Sequence, residues 1–212
     1  MRTPIMLTCL FGLLLPAPAS AVMALREIVP PNVQGDSLEA SLHDLEARDR
    51  GPRGASAVWH LAMWHQLRGE YGQARAAYLR AAQRLSGDER HWARIGAARA
   101  ALALGAPAEA RGAASEALRA SGPIRAAARM ATAQALELEG HKAQALELYS
   151  KLLSEQPGEI GASALERAAL LHDQLKHPDA AAETRRRLVR EYPASPEAAR
   201  NPAVAPRPVV KP

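Results

Sequence analysis

The sequence predicts an all-α chain: a solenoid of about four stacked helix pairs preceded by one further helix. Three observations carry this. Alanine recurs in two registered columns, Ala62, Ala98, Ala133, Ala169 and Ala74, Ala110, Ala145, Ala181, each stepping by 36, 35 and 36 residues. A period in that range is the signature of a helical repeat array. Gly69, Gly105 and Gly140 fall between the columns at a constant phase, where a residue able to adopt positive φ ends a first helix. Pro107, Pro123 and Pro178 fall in the first turn of a new helix, where a missing amide hydrogen costs nothing.

The chain has 212 residues. Residues 1–21 read as an export signal: Arg2 supplies the positive start, Ile5 to Leu15 an apolar run, and Ala19-Ser20-Ala21 a cleavage site before Val22. The run is too short to cross a hydrocarbon core, which needs ~20 apolar residues. Cys9, the one cysteine, lies inside it and not after it, so lipid anchoring is not expected, and neither disulfides nor thiolate metal sites are expected after cleavage. The expectation is an exported protein of the bacterial periplasm, soluble and without a membrane span.

Residues 22–54 read as an irregular leader plus an amphipathic helix. Pro30-Pro31 and Gly35 mark the leader. Asp36-Ser37-Leu38-Glu39 then has the form of a capping box, and Leu38, Leu42 and Leu45 follow at helical spacing, giving a helix over about 36–49 that covers the exposed end of the array. Gly51-Pro52-Arg53-Gly54 closes the segment. Four repeats follow, at about 55–88, 89–122, 123–158 and 159–199. First helices are expected near 55–68, 88–104, 123–139 and 159–175, and second helices near 71–84, 107–120, 142–155 and 178–191. Lys176 takes the glycine's place in the fourth unit. Residues 200–212, rich in proline and without an acid, read as a disordered tail.

These residues resemble the tetratricopeptide repeat (TPR) family. The first unit has Leu61-Ala62, Gly69, Tyr71, Ala74, Tyr78 and Ala81 at the family's offsets, and the third has Ala133, Leu136, Gly140, Ala145, Tyr149 and Pro157. The second has Ala98, Gly105, Ala110, Ala114 and Ala117, and the fourth Ala169, Ala181, Leu188 and Pro193. Arg185 stands at the fourth unit's aromatic position. Trp92-x-x-Ile95-Gly96 matches the family's opening literally but two residues out of register with Gly105 and Ala110, as a longer helix or a local insertion would produce. The ending Tyr192-Pro193-Ala194-Ser195-Pro196-Glu197-Ala198 is similar to exported bacterial members, such as outer-membrane assembly lipoproteins and the Tol–Pal coordinator. The resemblance implies a right-handed α-solenoid that binds partners along a concave face lined by the first helix of each pair. On this chain that face is Trp59, Met63 and Gln66, then Trp92, Ile95 and Arg99, then Met130, Gln134 and Glu137. Trp59 and Trp92 are either exposed anchors or packed between helices; Trp64 is assigned to the core.

Chemistry beyond binding finds little support. His60 and His65 are five apart, as are His172 and His177, which turns the second ring ~140° off the first on a helix. His60, His65 and His91 could approach between adjacent first helices, but no acid is spaced to complete a metal site. The nucleophile elbow, the phosphate-binding loop and recognised nucleic-acid motifs are missing. The net charge of +5 is carried mostly by arginine. Arg185, Arg186 and Arg187 form either a surface for an acidic partner or a solvated face, since Glu183 and Glu191 are interspersed.

The expectation is therefore a non-catalytic, cofactor-free exported module that binds a peptide or segment of another protein, in envelope biogenesis or maintenance. A structural subunit of an outer-membrane or secretion complex is the alternative, and a cell-wall enzyme the last choice.

Overall fold

The computed structural model describes residues 25–29, 36–155 and 158–201. The expected signal at 1–21 and the proline-rich stretch from 202 onward lie outside the described residues.

The chain is all-helical. A turn of helix, α1 (Leu25–Ile28), precedes α2 (Asp36–Arg48), and four helix pairs follow. These are α3 (Pro52–Leu67) with α4 (Tyr71–Arg84), α5 (Gly87–Ala103) with α6 (Pro107–Ala114), α7 (Gly122–Leu138) with α8 (Lys142–Leu153), and α9 (Ile160–Gln174) with α10 (Pro178–Glu191). A last turn, α11 (Pro196–Ala199), closes the described chain, its Ser195 hydroxyl accepting from the Ala198 N–H at 3.1 Å. The helices of each pair pack on each other, each second helix packs on the first helix of the next pair, and α7 also touches the first helices α5 and α9 on either side.

The alanine columns explain how the pairs fit. All eight column residues are buried, because a methyl lets two helix backbones approach where a longer side chain would hold them apart. In the first and third pairs bulk is supplied at one equivalent point: Tyr78 and Tyr149 are buried beside the columns, and the Tyr78 ring meets Trp59 edge-on at 5.8 Å. Within the first three pairs the turn is made by Gly69, Gly105 and Gly140 at positive φ, and in the fourth by Lys176 at φ 62°.

Three details differ from the sequence reading. Pro52 opens α3 and does not close the segment before it. A Cβ on Gly54 would fall 1.7 Å from the Asp49 carbonyl oxygen, so this sharp entry requires glycine. The second unit keeps the register of Ala98 and Ala110, and Gly96 has a separate role: a Cβ there would lie 2.7 Å from the Tyr78 ring. Finally, α6 stops at Ala114 and yields to a 3-10 turn at Ala117–Arg119. Gly112 has no side chain to pack, and the Ser115 hydroxyl bonds back to its carbonyl at 2.8 Å, competing with the helical ladder.

The core is continuous from pair to pair. Trp92, half-buried, packs against both the cluster around Val58, Ala77 and Tyr78 and the cluster around Ile95, Met130 and Tyr149. Helix α2 adds a cluster of its own, where Leu42 meets Ile28, Val29, Ala57 and Leu61. On the outside, units two and three repeat one ionic clamp. Arg90 and Arg94 close on Glu116 at 3.1 and 2.6 Å, and Arg125 and Arg129, 35 residues on, close on Glu155.

Candidate functional site

Eight of the nine residues expected to line the binding face fall into rows once the repeat step is applied; Trp92 lies outside them. Row one is Trp59, Ile95 and Met130; row two is Met63, Arg99 and Gln134; row three begins with Gln66 and includes Glu137. The same step completes them. Row one continues to Glu166 and row two to Leu170, while row three reads Gln66, Leu102, Glu137, Asp173. Spacings of i, i+4 and i+7 keep one helix's members of all three rows on one face.

Burial separates the rows. Trp59, Ile95 and Met130 are buried at 6, 2 and 6 % exposure, so row one packs between helices and is not offered to a partner. Of the two readings of Trp59, this is the packed one, and as a groove contact it is withdrawn: its indole lies against Tyr78, and its Nε1–H points to the Met63 sulfur at 3.1 Å. Trp92, one turn before Ile95, is half-buried and wedged between two core clusters. Met63, Arg99, Gln134, Gln66, Leu102 and Glu137 are half-buried, and Leu170 and Asp173 are exposed.

Three leucines missed by the sequence reading complete the face. Leu67 and Leu138 lie one helical turn beyond Met63 and Gln134, and Leu170 belongs to row two; they are 67, 56 and 45 % exposed. Among the described residues they are three of the five large apolar side chains left open. The 36-residue step was the signal that could have found Leu170. Leu67 and Leu138 fall in the last turn of their helices, where the columns give no guidance.

Charge on this face is internally committed. Arg167 reaches back from α9 to grip Glu137 in a fork at 3.0 and 2.7 Å, and the Tyr149 hydroxyl donates to the same carboxylate. Burial opposes the Arg167 charge, but Glu137 outweighs it and raises the guanidinium above its ordinary range. Tyr149 is pushed well up, first by burial and then by the Glu137 charge. Burial also lowers Arg99, with Tyr78 opposing, and lifts Tyr78 to about 12. The arginines read as either a surface for an acidic partner or a solvated face are paired within the chain: Arg185 with Asp173, Arg186 with Glu183 at 2.7 Å and Arg187 with Glu191 at 2.8 Å. Beside them a shallow cleft is lined by Glu166, Ala169, Leu170, Arg185, Arg200 and Asn201. Among the described residues no helix is long and apolar enough to cross a membrane.

Comparison with known proteins agrees with this architecture. The tetratricopeptide repeat family model matches residues 95–160, which run from the middle of α5 to the start of α9. No curated protein matches. Among solved structures the chain is similar to PilF of Pseudomonas aeruginosa, at 22 % identity and a TM-score of 0.56, over 80 % of this chain and 72 % of that one. At that identity the likeness establishes the fold, a TPR-like helical array.

Proposed function

We propose that the chain is an exported, non-catalytic protein-interaction module that holds an extended segment of a partner protein along rows two and three. The observation that carries this is the exposure of Leu67 and Leu138, one turn beyond row two, and of Leu170 in row two, on first helices that also present half-buried Met63, Arg99, Gln66 and Gln134. Apolar side chains left open on one face of an otherwise well-packed array are the usual mark of a surface that another chain covers. Helical repeat arrays bind along such extended faces. The occupant that fits is a partner segment with apolar side chains spaced to meet one leucine after another, flanked by polar groups for the glutamines. The export-signal pattern at 1–21 and the Tyr192 to Ala198 ending support a place in the bacterial envelope.

The test is a variant carrying Leu67→Asp, Leu138→Asp and Leu170→Asp, all at exposed positions. Its circular dichroism should match the parent, while the protein that co-purifies with the parent from native envelope is lost and its binding, measured with the purified partner, falls by ten-fold or more, about 1.4 kcal/mol. Retention of the partner at undiminished affinity overturns the reading and places the contact elsewhere, as in a structural subunit of an outer-membrane or secretion complex. Cell fractionation tests the compartment: the chain should be recovered from the periplasm with residues 1–21 removed.

A further inference from the structure

We propose a divalent-metal site, of the kind that takes Zn2+, built from Glu39 and His43 of α2 and His65 of α3. One ligand atom from each of these three side chains lies within 4.8 Å of the other two. Two histidines and one carboxylate form a ligand set that suits zinc and leaves a fourth position for water. Zinc–ligand bonds of about 2.0–2.2 Å in a tetrahedron place the ligand atoms somewhat over 3 Å apart, so small side-chain rotations close the set.

The surroundings of these groups are those of a prepared site. His65 is 5 % exposed, and its Nδ1 hydrogen bonds to Glu70 Oε2 at 2.7 Å. With the proton held on Nδ1, the Nε2 lone pair faces Glu39 Oε1 at 3.9 Å. A carboxylate behind a histidine is the arrangement that fixes the tautomer and orients a metal-bound imidazole. Glu70 is steadied by Arg68 at 2.9 Å. Glu39 is divided in the same way. Its Oε2 accepts the Trp64 indole N–H at 3.1 Å and has Arg68 at 3.9 Å, which leaves Oε1 on the His65 side. His43 is half exposed and has Glu46 behind its Nδ1 at 3.7 Å. The two arginines nearby are already engaged, Arg68 with Glu70 and Arg80 with Glu46 in a fork at 3.0 and 3.3 Å.

A cation here joins the N-terminal helix to the first helix pair. Leu42 holds α2 by apolar contact, and the metal adds a bond at the rim of that contact on the Trp64 side. The loaded site therefore makes closure of the array's first end depend on metal, and it borders α3, which carries Met63 and Leu67 of the proposed binding face.

The experiment uses the full chain stripped with chelator and titrated with Zn2+ alone by calorimetry, followed by thermal unfolding with and without the ion. The expected result is saturation at one ion per chain and a higher Tm with zinc. Co2+ in the same position should give the intense visible spectrum of a four-coordinate site. His43→Ala removes an exposed ligand without disturbing the core and should weaken binding by about tenfold or more, as should Glu39→Gln, which keeps an acceptor for Trp64. His141→Ala, on an exposed turn far along the chain, should leave binding unchanged. Failure to saturate at one ion per chain overturns the proposal, and so does saturation that His43→Ala and Glu39→Gln leave undiminished. Because His65→Ala empties a buried position, it is not needed for the decision.

Discussion

The two ends of the array are closed by different means. At the N-terminal end a full helix, α2, lies over the first pair, burying Leu42 completely and adding the Glu46–Arg80 fork outside it. At the C-terminal end the single turn α11 buries only Ala198 and relies on polar ties, Ser163 to Glu197 at 2.6 Å and Arg200 to Glu166 in a fork at 2.9 Å. Filling also differs. The first pair has Tyr78 at its aromatic position, whereas the fourth has Arg185, bound to Asp173 and facing a cleft. Apolar burial is insensitive to salt and scales with area, while exposed ion pairs are screened and contribute little each. The difference teaches that the array is anchored at its start and loose at its finish.

Breaking the anchored end should have the largest effect. Leu42→Ala leaves a cavity beneath α2 and should cost about 2–5 kcal/mol in urea unfolding, with hydrogen exchange accelerated across α2 and α3. Little destabilisation would show that α2 is not the closing element.

The aromatic contrast can be sharpened with pH. Tyr78 titrates at about 12 in the folded chain against 10.0 ordinarily, because burial disfavours the phenolate. Below pH 10 both states are protonated and the contribution is complete; above it the unfolded chain ionises first, and stability falls as pH rises through the folded value. The share of Tyr78 is about 3 kcal/mol. Alkaline unfolding of Tyr78→Phe should be flatter by that amount, and an unchanged slope would show that the ring is not the titrating group. The fourth pair, with Arg185 in this place, has no phenol to contribute.

The loose end should respond to smaller changes. Lys176 is held at positive φ, where glycine pays no steric penalty, so Lys176→Gly should stabilise by about 0.5–1 kcal/mol in the same urea assay. Arg200→Ala removes one exposed fork and should cost about 0.2–1 kcal/mol, disappearing in high salt. A larger, salt-independent loss would mean that α11 closes the array more firmly than its contacts suggest.

The fold was legible because its determinants repeat. Eight alanines at a fixed step place eight helices, and their burial shows that the step reports backbone contact. Even the second unit, where Trp92-x-x-Ile95-Gly96 argued for another register, follows Ala98 and Ala110, since Gly96 answers to the ring of Tyr78 and not to the family's glycine. The face was only partly legible. Position within a repeat identifies which residues share a helix face, but not how deep that face lies between neighbouring helices, and this depth buries Trp59, Ile95 and Met130. Leu67 and Leu138 stay exposed because they sit where their helices end. Spacing relates His65 to histidines on neighbouring first helices, whereas Glu39 and His43 beside it come from α2, a helix outside the period. The three-residue offset of Pro52 from the expected helix start has the same origin, since the entry turn is set by Gly54 against Asp49 and not by the repeat.

Trp92 has a consequence for how the molecule comes apart. In an array where each unit touches only its neighbours, cooperativity is set by the weakest joint. Here the cluster around Val58 and Tyr78 already crosses the joint between units one and two through Ala93 and Ala97, and the Trp92 indole ties it to the next cluster, so neither core can open without stripping the other of a wall. The first three pairs should therefore melt in one transition, and replacing this side chain with a small one should broaden it.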